Sequence, residues 1–412
     1  MPATPITSRF RAACAALMLL AAVQRALLPR GSDAERTVRF LSGIVRSAAW
    51  GLARGAWQRW RRGEPQHRLW TWGLEVRLAM MREVSAFSEH ELYDDEALYP
   101  IVNATFSTLA LPVYLYNAYL NPRLVRGHFE VRAGERAVPC DVWGPSSPRG
   151  DAVERLCRLV DDPAGAEPWP APLKIFVYLH GGGLVSGTRY SSGPWGAHMV
   201  RDDVVVVVVE YALAPKHRYP AALEDAVAVV DVLAERLAYR PNLFLVGDSA
   251  GGGLALAAIH AVTPTESIRA VAGGVLVSPM LTQRHDADYH PELAATDVIS
   301  PRLAHGTSKT YVPCSASAAS NKLVSPMECT EQELAALPPI HCVAGTSEIF
   351  YSYIERFAKA AMRVNPRFEF AAHDGMVHCF PFVTPDREEA VRSEAEIHDF
   401  ATRVMRERGG EA

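Results

Sequence analysis

Leu243-Phe244-Leu245-Val246-Gly247-Asp248-Ser249-Ala250-Gly251-Gly252 decides how this chain is read, because an apolar run meets a glycine-flanked serine and then an Ala/Leu-rich stretch. The run predicts a strand, the glycines a sharp turn, and the residues after Ser249 a helix. Crowding explains the G-x-S-x-G spacing: side chains flanking Ser249 would collide in so tight a turn, and the strain projects the hydroxyl above the sheet edge. The helix behind it aims its positive end at negative charge developing there. Ser249 is therefore the candidate nucleophile, with Gly247, Asp248 and Gly251 shaping its turn.

Strands and helices alternate on both sides of this turn. Apolar runs predict strands at Lys174 to Leu179, Val204 to Val209, Val271 to Val277, Ile340 to Val343 and Phe368 to Ala371. Helices are expected from Pro220 to Leu237, Tyr353 to Met362 and Arg387 to Arg406. Six consecutive valines, Val204 to Val209, suit only a strand buried on both faces, which requires helices on both sides of a mainly parallel sheet. His128 to Arg132 and Ala137 to Trp143 flank a turn at Gly134 and read as a hairpin. Residues 1–126 read as an N-terminal helical region, residues 127–412 as the α/β domain, and Leu281 to Leu337 as an insertion near the top of its sheet.

Two further motifs complete a possible reaction centre. His180-Gly181-Gly182-Gly183 ends the strand at Leu179, where residues without Cβ let backbone N–H groups of Gly182 and Gly183 approach a substrate oxygen. A phosphate cradle is disfavoured because no Gly-Lys-Ser/Thr follows. His180 reads as a residue that holds this loop by hydrogen bonding rather than as a base. The base is expected late in the chain, where Gly375-Met376-Val377-His378-Cys379-Phe380 follows the last strand, and His378 is preferred to His373. Cys379, which points away from its neighbour on an extended chain, reads as packing or pocket lining.

With these motifs on record the chain resembles the hormone-sensitive-lipase branch of the α/β-hydrolase fold, which includes bacterial esterases, arylacetamide deacetylases and fungal steryl-acetate hydrolases. The resemblance runs from about Lys174 to Phe380 and adds Tyr211-Ala212-Leu213-Ala214-Pro215, Tyr219 to Ala226 and Ser278-Pro279 in the family's order. It implies an eight-stranded sheet, a helical cap built from the N-terminal helices and the 281–337 insertion, no cofactor and no metal, and a covalent acyl-enzyme. It also implies oxyanion donors at Gly182, Gly183 and Ala250, and a third triad member in Gly345-Thr346-Ser347-Glu348-Ile349-Phe350, where relatives usually carry Asp and this chain has Glu348. Asp374 is a rival for that place, and Glu348 could instead cap the helix that follows. Ala212 and Lys216 stand where relatives commonly carry Arg and Glu, which alters a structural ion pair. The implied reaction is hydrolysis of hydrophobic or acetylated esters; amide-directed deacetylase or arylformamidase activity, or ligand binding on an inactive scaffold, are the alternatives.

Composition sets the remaining limits. At 412 residues, 49% hydrophobic and 21% charged, with a net charge of −4, the chain lacks the basic field that nucleic-acid binding needs. Seven cysteines, odd in number and never spaced CxxC, signal neither a zinc site nor a disulfide framework and favour reduced thiols in an intracellular protein. Charge is uneven, however: Met1 to His90 holds fourteen Arg, no Lys and six Asp or Glu, a net of +8, with five of the eight Trp. Arg and Trp together suggest contact with an anionic membrane surface. The acid-free start up to Asp33 also fits a signal or transit segment, or a helix packed on its own protein.

Overall fold

The computed structural model describes residues 33–63, 67, 70–71, 74–75, 78–83, 115–146, 151–162, 173–290 and 292–409. The first thirty-two residues, most of the stretch from Ala97 to Pro122, which carries no charge, and Asn103-Ala104-Thr105, a formal glycosylation acceptor by sequence, lie outside them. By proximity the chain forms two compact units, Met1–Thr105 with Pro291–Ala304, and Phe106–His290 with His305–Ala412.

In the first unit, helix α1 (Asp33–Arg62) opens the described chain. Gly51 lies on its buried face, where a Cβ would fall 2.5 Å from Met80 Cα, so only glycine permits this approach. Glu75, nearly fully buried, accepts from Arg62 at 2.9 Å and forms an ion pair with Arg59 at 3.1 Å. Arg82 donates to the Thr296 carbonyl at 2.9 Å and so ties the segment around residue 296 into this unit.

The second unit is built on one eight-stranded sheet. Its strands are β1 (Leu124–Ala133), β2 (Arg136–Pro145), β3 (Lys174–Leu179), β4 (Val204–Val209), β5 (Leu243–Asp248), β6 (Val271–Val277), β7 (Ile340–Gly345) and β8 (Phe368–His373). They lie in the order β1-β2-β4-β3-β5-β6-β7-β8, with β1 to β2 and β2 to β4 antiparallel and all other pairs parallel. All residues of β3, β4, β6 and β7 are buried, as strands covered on both faces must be. Each fully buried Val of β4 contributes about 1.5–3 kcal/mol of hydrophobic stabilisation.

The helices that cover the sheet are α2 (Asp151–Asp161), α3 (Arg189–His198), α4 (Ala221–Arg236), α5 (Ser249–Val262), α9 (Tyr351–Val364) and α11 (Glu388–Gly409), the last packing Ile397, Phe400, Ala401 and Val404 into the core beside Phe176 and Phe244. Between β6 and β7 the chain forms short helices instead of a direct crossover, among them α6 (Pro301–Tyr311), α7 (Ser315–Ser320) and α8 (Glu331–Ala335). A further short helix, α10 (Phe380–Val383), follows β8.

Two expectations need correction. Leu124 to Arg126, read as the end of the helical region, are the first residues of β1 and pair with Pro145 to Trp143, because the hairpin is longer than its alternating core. Helix α3 was not expected: Gly193, Pro194 and Gly196 hide it, yet Gly196 is where the helix comes closest to β4, a Cβ there falling 2.6 Å from Val208 Cγ2. Among the described residues no helix is long and apolar enough to cross a membrane, and no two cysteines are joined by a disulfide.

Candidate active site

Strand β5 runs straight into α5, and the junction residue Ser249 takes φ +51°, a left-handed conformation that non-glycine residues adopt only where the surroundings enforce it. The enforcement is close packing: a Cβ on Gly247 would lie 2.3 Å from the Gly251 carbonyl oxygen, and one on Gly251 would lie 2.1 Å from that of Leu179. Ser249 thus stands at the carboxyl end of the sheet with the first turn of α5 behind it. The N–H groups of that turn have no intrahelical acceptor and face the same end.

His378 comes from the loop after β8. Its Nε2 lies 2.8 Å from Ser249 Oγ, and its Nδ1 lies 3.2 Å from Glu348 Oε2. Glu348 is fully buried on the loop after β7, and the two loops are stitched together. The amides of Thr346 and Ser347 donate to the carbonyls of His373 and Met376 at 3.0 and 2.9 Å, and the Gly375 amide donates to Thr346 Oγ1 at 2.8 Å. Phe350 meets the His378 ring edge to face at 5.1 Å and so limits its tilt. The rivals lie elsewhere: Asp374 is exposed beside Thr346 Oγ1 at 3.4 Å, and His373 Nε2 is 3.0 Å from Glu396 of α11. Glu348 also precedes α9, whose N-terminal cap is Phe350, so it makes no cap of its own.

A family model described as having the α/β-hydrolase fold matches residues 176–382, which contain most of β3 and then Ser249, Glu348 and His378 in this order. The chain belongs to the α/β-hydrolase family. The hydrolase is 30% identical over 246 residues to Esterase LipU of Mycobacterium tuberculosis, covering 58% of this chain and 80% of that protein. Against Carboxylesterase/phospholipase LipF of the same organism it is 28% identical over 303 residues, covering 70% and 77%. A solved hyperthermophilic esterase from Pyrobaculum calidifontis shares the fold with a TM-score of 0.61 at 20% identity, covering 79% of this chain and 98% of that one. This kinship makes the protein a carboxylesterase-type hydrolase.

The glycine loop of the hydrolase lies directly against its serine: a Cβ on Gly181 would be 3.1 Å from Ser249 Cβ and 2.3 Å from Asp248 Oδ2. Gly182 takes φ +116° and Gly183 φ +65°, conformations that favour glycine. The Gly182 carbonyl is engaged by the amides of Val185 and Ser186 and by Ser186 Oγ, which fixes the loop from behind. His180 is buried, stacks on Tyr211 at 4.3 Å, and has Nδ1 2.8 Å from the Gly181 carbonyl; burial pushes its pKa down. The Tyr211 hydroxyl donates to the His180 carbonyl. His180 is thus placed to hold the loop and lies apart from the His378 relay.

Three contributors were not singled out from the sequence as site residues. Tyr178 donates to Asp248 Oδ1 at 2.6 Å, and the Gly181 amide donates to the same oxygen at 2.8 Å, so Asp248 joins the elbow to the glycine loop. Ser278, with φ +47°, accepts the Cys379 amide through Oγ at 3.0 Å, and its own amide donates to the Val343 carbonyl at 2.7 Å. It therefore anchors the histidine loop on β7. Cys379 packs its Sγ 3.7 Å from Asp248 Oδ2, but at φ +51° its backbone is left-handed and not extended as expected. Arg136 on β2 reaches Asp225 at 2.9 Å and Glu224 at 2.8 Å, while the Ala212 amide donates to the other Asp225 oxygen at 2.8 Å. Among the described residues no group of three or more His, Cys, Asp or Glu is placed to hold a metal ion.

Proposed function

We propose that the hydrolase cleaves hydrophobic carboxylic esters through a Ser249-His378-Glu348 triad and a covalent acyl-enzyme. The observation that carries this reading is the continuous hydrogen-bonded line Ser249 Oγ to His378 Nε2 to Glu348, at 2.8 and 3.2 Å. His378 Nε2 takes the Ser249 proton while Oγ bonds the acyl carbon, and the carbonyl π electrons move onto oxygen. The N–H groups of Gly182, Gly183 and Ala250 serve as the oxyanion donors. His378 then returns the proton to the departing alkoxide oxygen, and water, activated the same way, releases the acid and regenerates Ser249. Glu348 fixes the imidazole tautomer and favours the imidazolium. The uncharged stretch from Ala97 to Pro122 in the N-terminal region favours hydrophobic substrates, acetylated lipids among them.

The test is turnover on p-nitrophenyl esters from acetate to palmitate, with matched p-nitroanilides beside them. The reading expects ester hydrolysis with at least a hundredfold preference, on the order of 3 kcal/mol in transition-state binding, over the anilides. A preference for the anilides would make the protein an amidase, and absence of turnover on either series would leave only a binding scaffold.

A further inference from the structure

Arg46, Trp50, Ala53, Trp57 and Trp60 recur on α1 at intervals of four, three, four and three, the spacing that keeps residues on one helical face. All five are exposed, and the indole-bearing positions are 61%, 53% and 77% accessible. The opposite face is spoken for by Gly51 and Gly55, both buried, and by the Glu75 ion pairs of Arg59 and Arg62. Arg54 and Arg61 flank the tryptophan stripe. Arg54 is held by Glu83 at 2.5 Å, and Arg61 lies over the Trp57 ring at 5.3 Å. From Arg36 to Gly63 the sequence contains no Asp or Glu.

We infer that this face of α1 docks on an anionic phospholipid surface, with Trp50, Trp57 and Trp60 seated at the headgroup level and Arg46 and Arg61 on the lipid phosphates. Indole is at home there because its ring is apolar and its N–H remains wet. A helix of this kind lies in the interface plane and does not span it. A second protein fits less well. The stripe runs only about 15 Å from Trp50 to Trp60, and three half-exposed indoles offer roughly 400 Å², about half of what one side of a stable protein interface buries. A membrane needs no such area, since electrostatic attraction adds to modest apolar insertion.

The experiment uses the full chain, sedimented with vesicles of phosphatidylcholine alone and of phosphatidylcholine with phosphatidylglycerol, at low and high salt. Binding to the anionic vesicles, a blue shift of tryptophan emission and weakening by salt are expected. Trp50→Ser/Trp57→Ser/Trp60→Ser should abolish both binding and blue shift. Arg46→Gln/Arg61→Gln should lower the partition coefficient about thirtyfold, roughly fivefold for each charge near an anionic surface. Both variants should hydrolyse soluble p-nitrophenyl acetate at the wild-type rate, which shows that they are folded. Wild-type protein left in the supernatant with anionic vesicles would overturn the inference. So would vesicle binding that both variants retain, or concentration-dependent self-association in sedimentation velocity that the tryptophan variant loses while vesicles have no effect.

Discussion

Replacing Glu348 by Gln tests the relay at its least accessible member. The side chain keeps its shape, so the change removes the charge and leaves the packing in place. Glu348 is fully buried, with Oε2 3.2 Å from His378 Nδ1. At an effective dielectric of about 20, a carboxylate and an imidazolium at roughly that separation attract by ~5 kcal/mol, close to four powers of ten in rate. Gln can also turn its NH₂ toward Nδ1, which forces the proton onto Nε2 and removes the base that Ser249 needs. The same acid-to-amide change in serine proteases lowers kcat by about 10⁴. Steady-state hydrolysis of p-nitrophenyl butyrate should therefore show kcat down by three to four powers of ten, with circular dichroism unchanged. Asp374→Asn, at an exposed position, should stay near wild type. A folded Glu348→Gln enzyme within about tenfold of wild type, or a far larger loss in Asp374→Asn, would refute the reasoning.

Gly182→Ala places a Cβ 2.1 Å from the Ser186 carbonyl oxygen at a backbone φ of +116°, so the loop must move. Loss of a well-placed oxyanion donor costs about 10² to 10³ in kcat, and kinetics on a soluble ester should show this fall with KM little changed; an unaltered kcat in a folded variant would remove this loop from the site. His260 and His398 are each pushed down to about 4, chiefly by burial, so the folded protein binds fewer protons than the unfolded chain as pH falls from the ordinary histidine value toward 4. Stability is therefore greatest above about pH 6.5 and is lost below it, by roughly 2 kcal/mol for each histidine near pH 5. Thermal melts across this range should show His260→Gln with a shallower acid slope than wild type, and an identical slope would mean that His260 does not titrate this way.

The parts of this molecule that a sequence exposes are those whose physics is local. Six valines in a row require burial on both faces wherever they sit, and β4 has it. The Gly247 to Gly251 spacing encodes the elbow because the crowding lies within the turn itself. The resemblance pointed to Glu348 after β7 and to His378 after β8, and the structure sets the two side chains 3.2 Å apart. Parallel neighbours β7 and β8 then bring their loops together. Helix α3 was hidden because Gly193, Pro194 and Gly196 speak against a helix locally, and the approach to Val208 explains only Gly196. The partnerships of Tyr178 with Asp248, Ser278 with Cys379 and Arg136 with Asp225 join residues 70, 101 and 89 positions apart. No local pattern marks such pairs, since the chemistry of each is satisfied only when the sheet is assembled.

The central claim is that Ser249 is the covalent nucleophile, and labelling with a fluorophosphonate probe followed by peptide mass spectrometry tests it most directly. The account predicts a single phosphonylated peptide carrying the adduct on Ser249. It also predicts that labelling and ester turnover both vanish in a Ser249→Ala protein that melts as wild type does. Persistent labelling of that folded variant, or an adduct mapped to another residue, would contradict it.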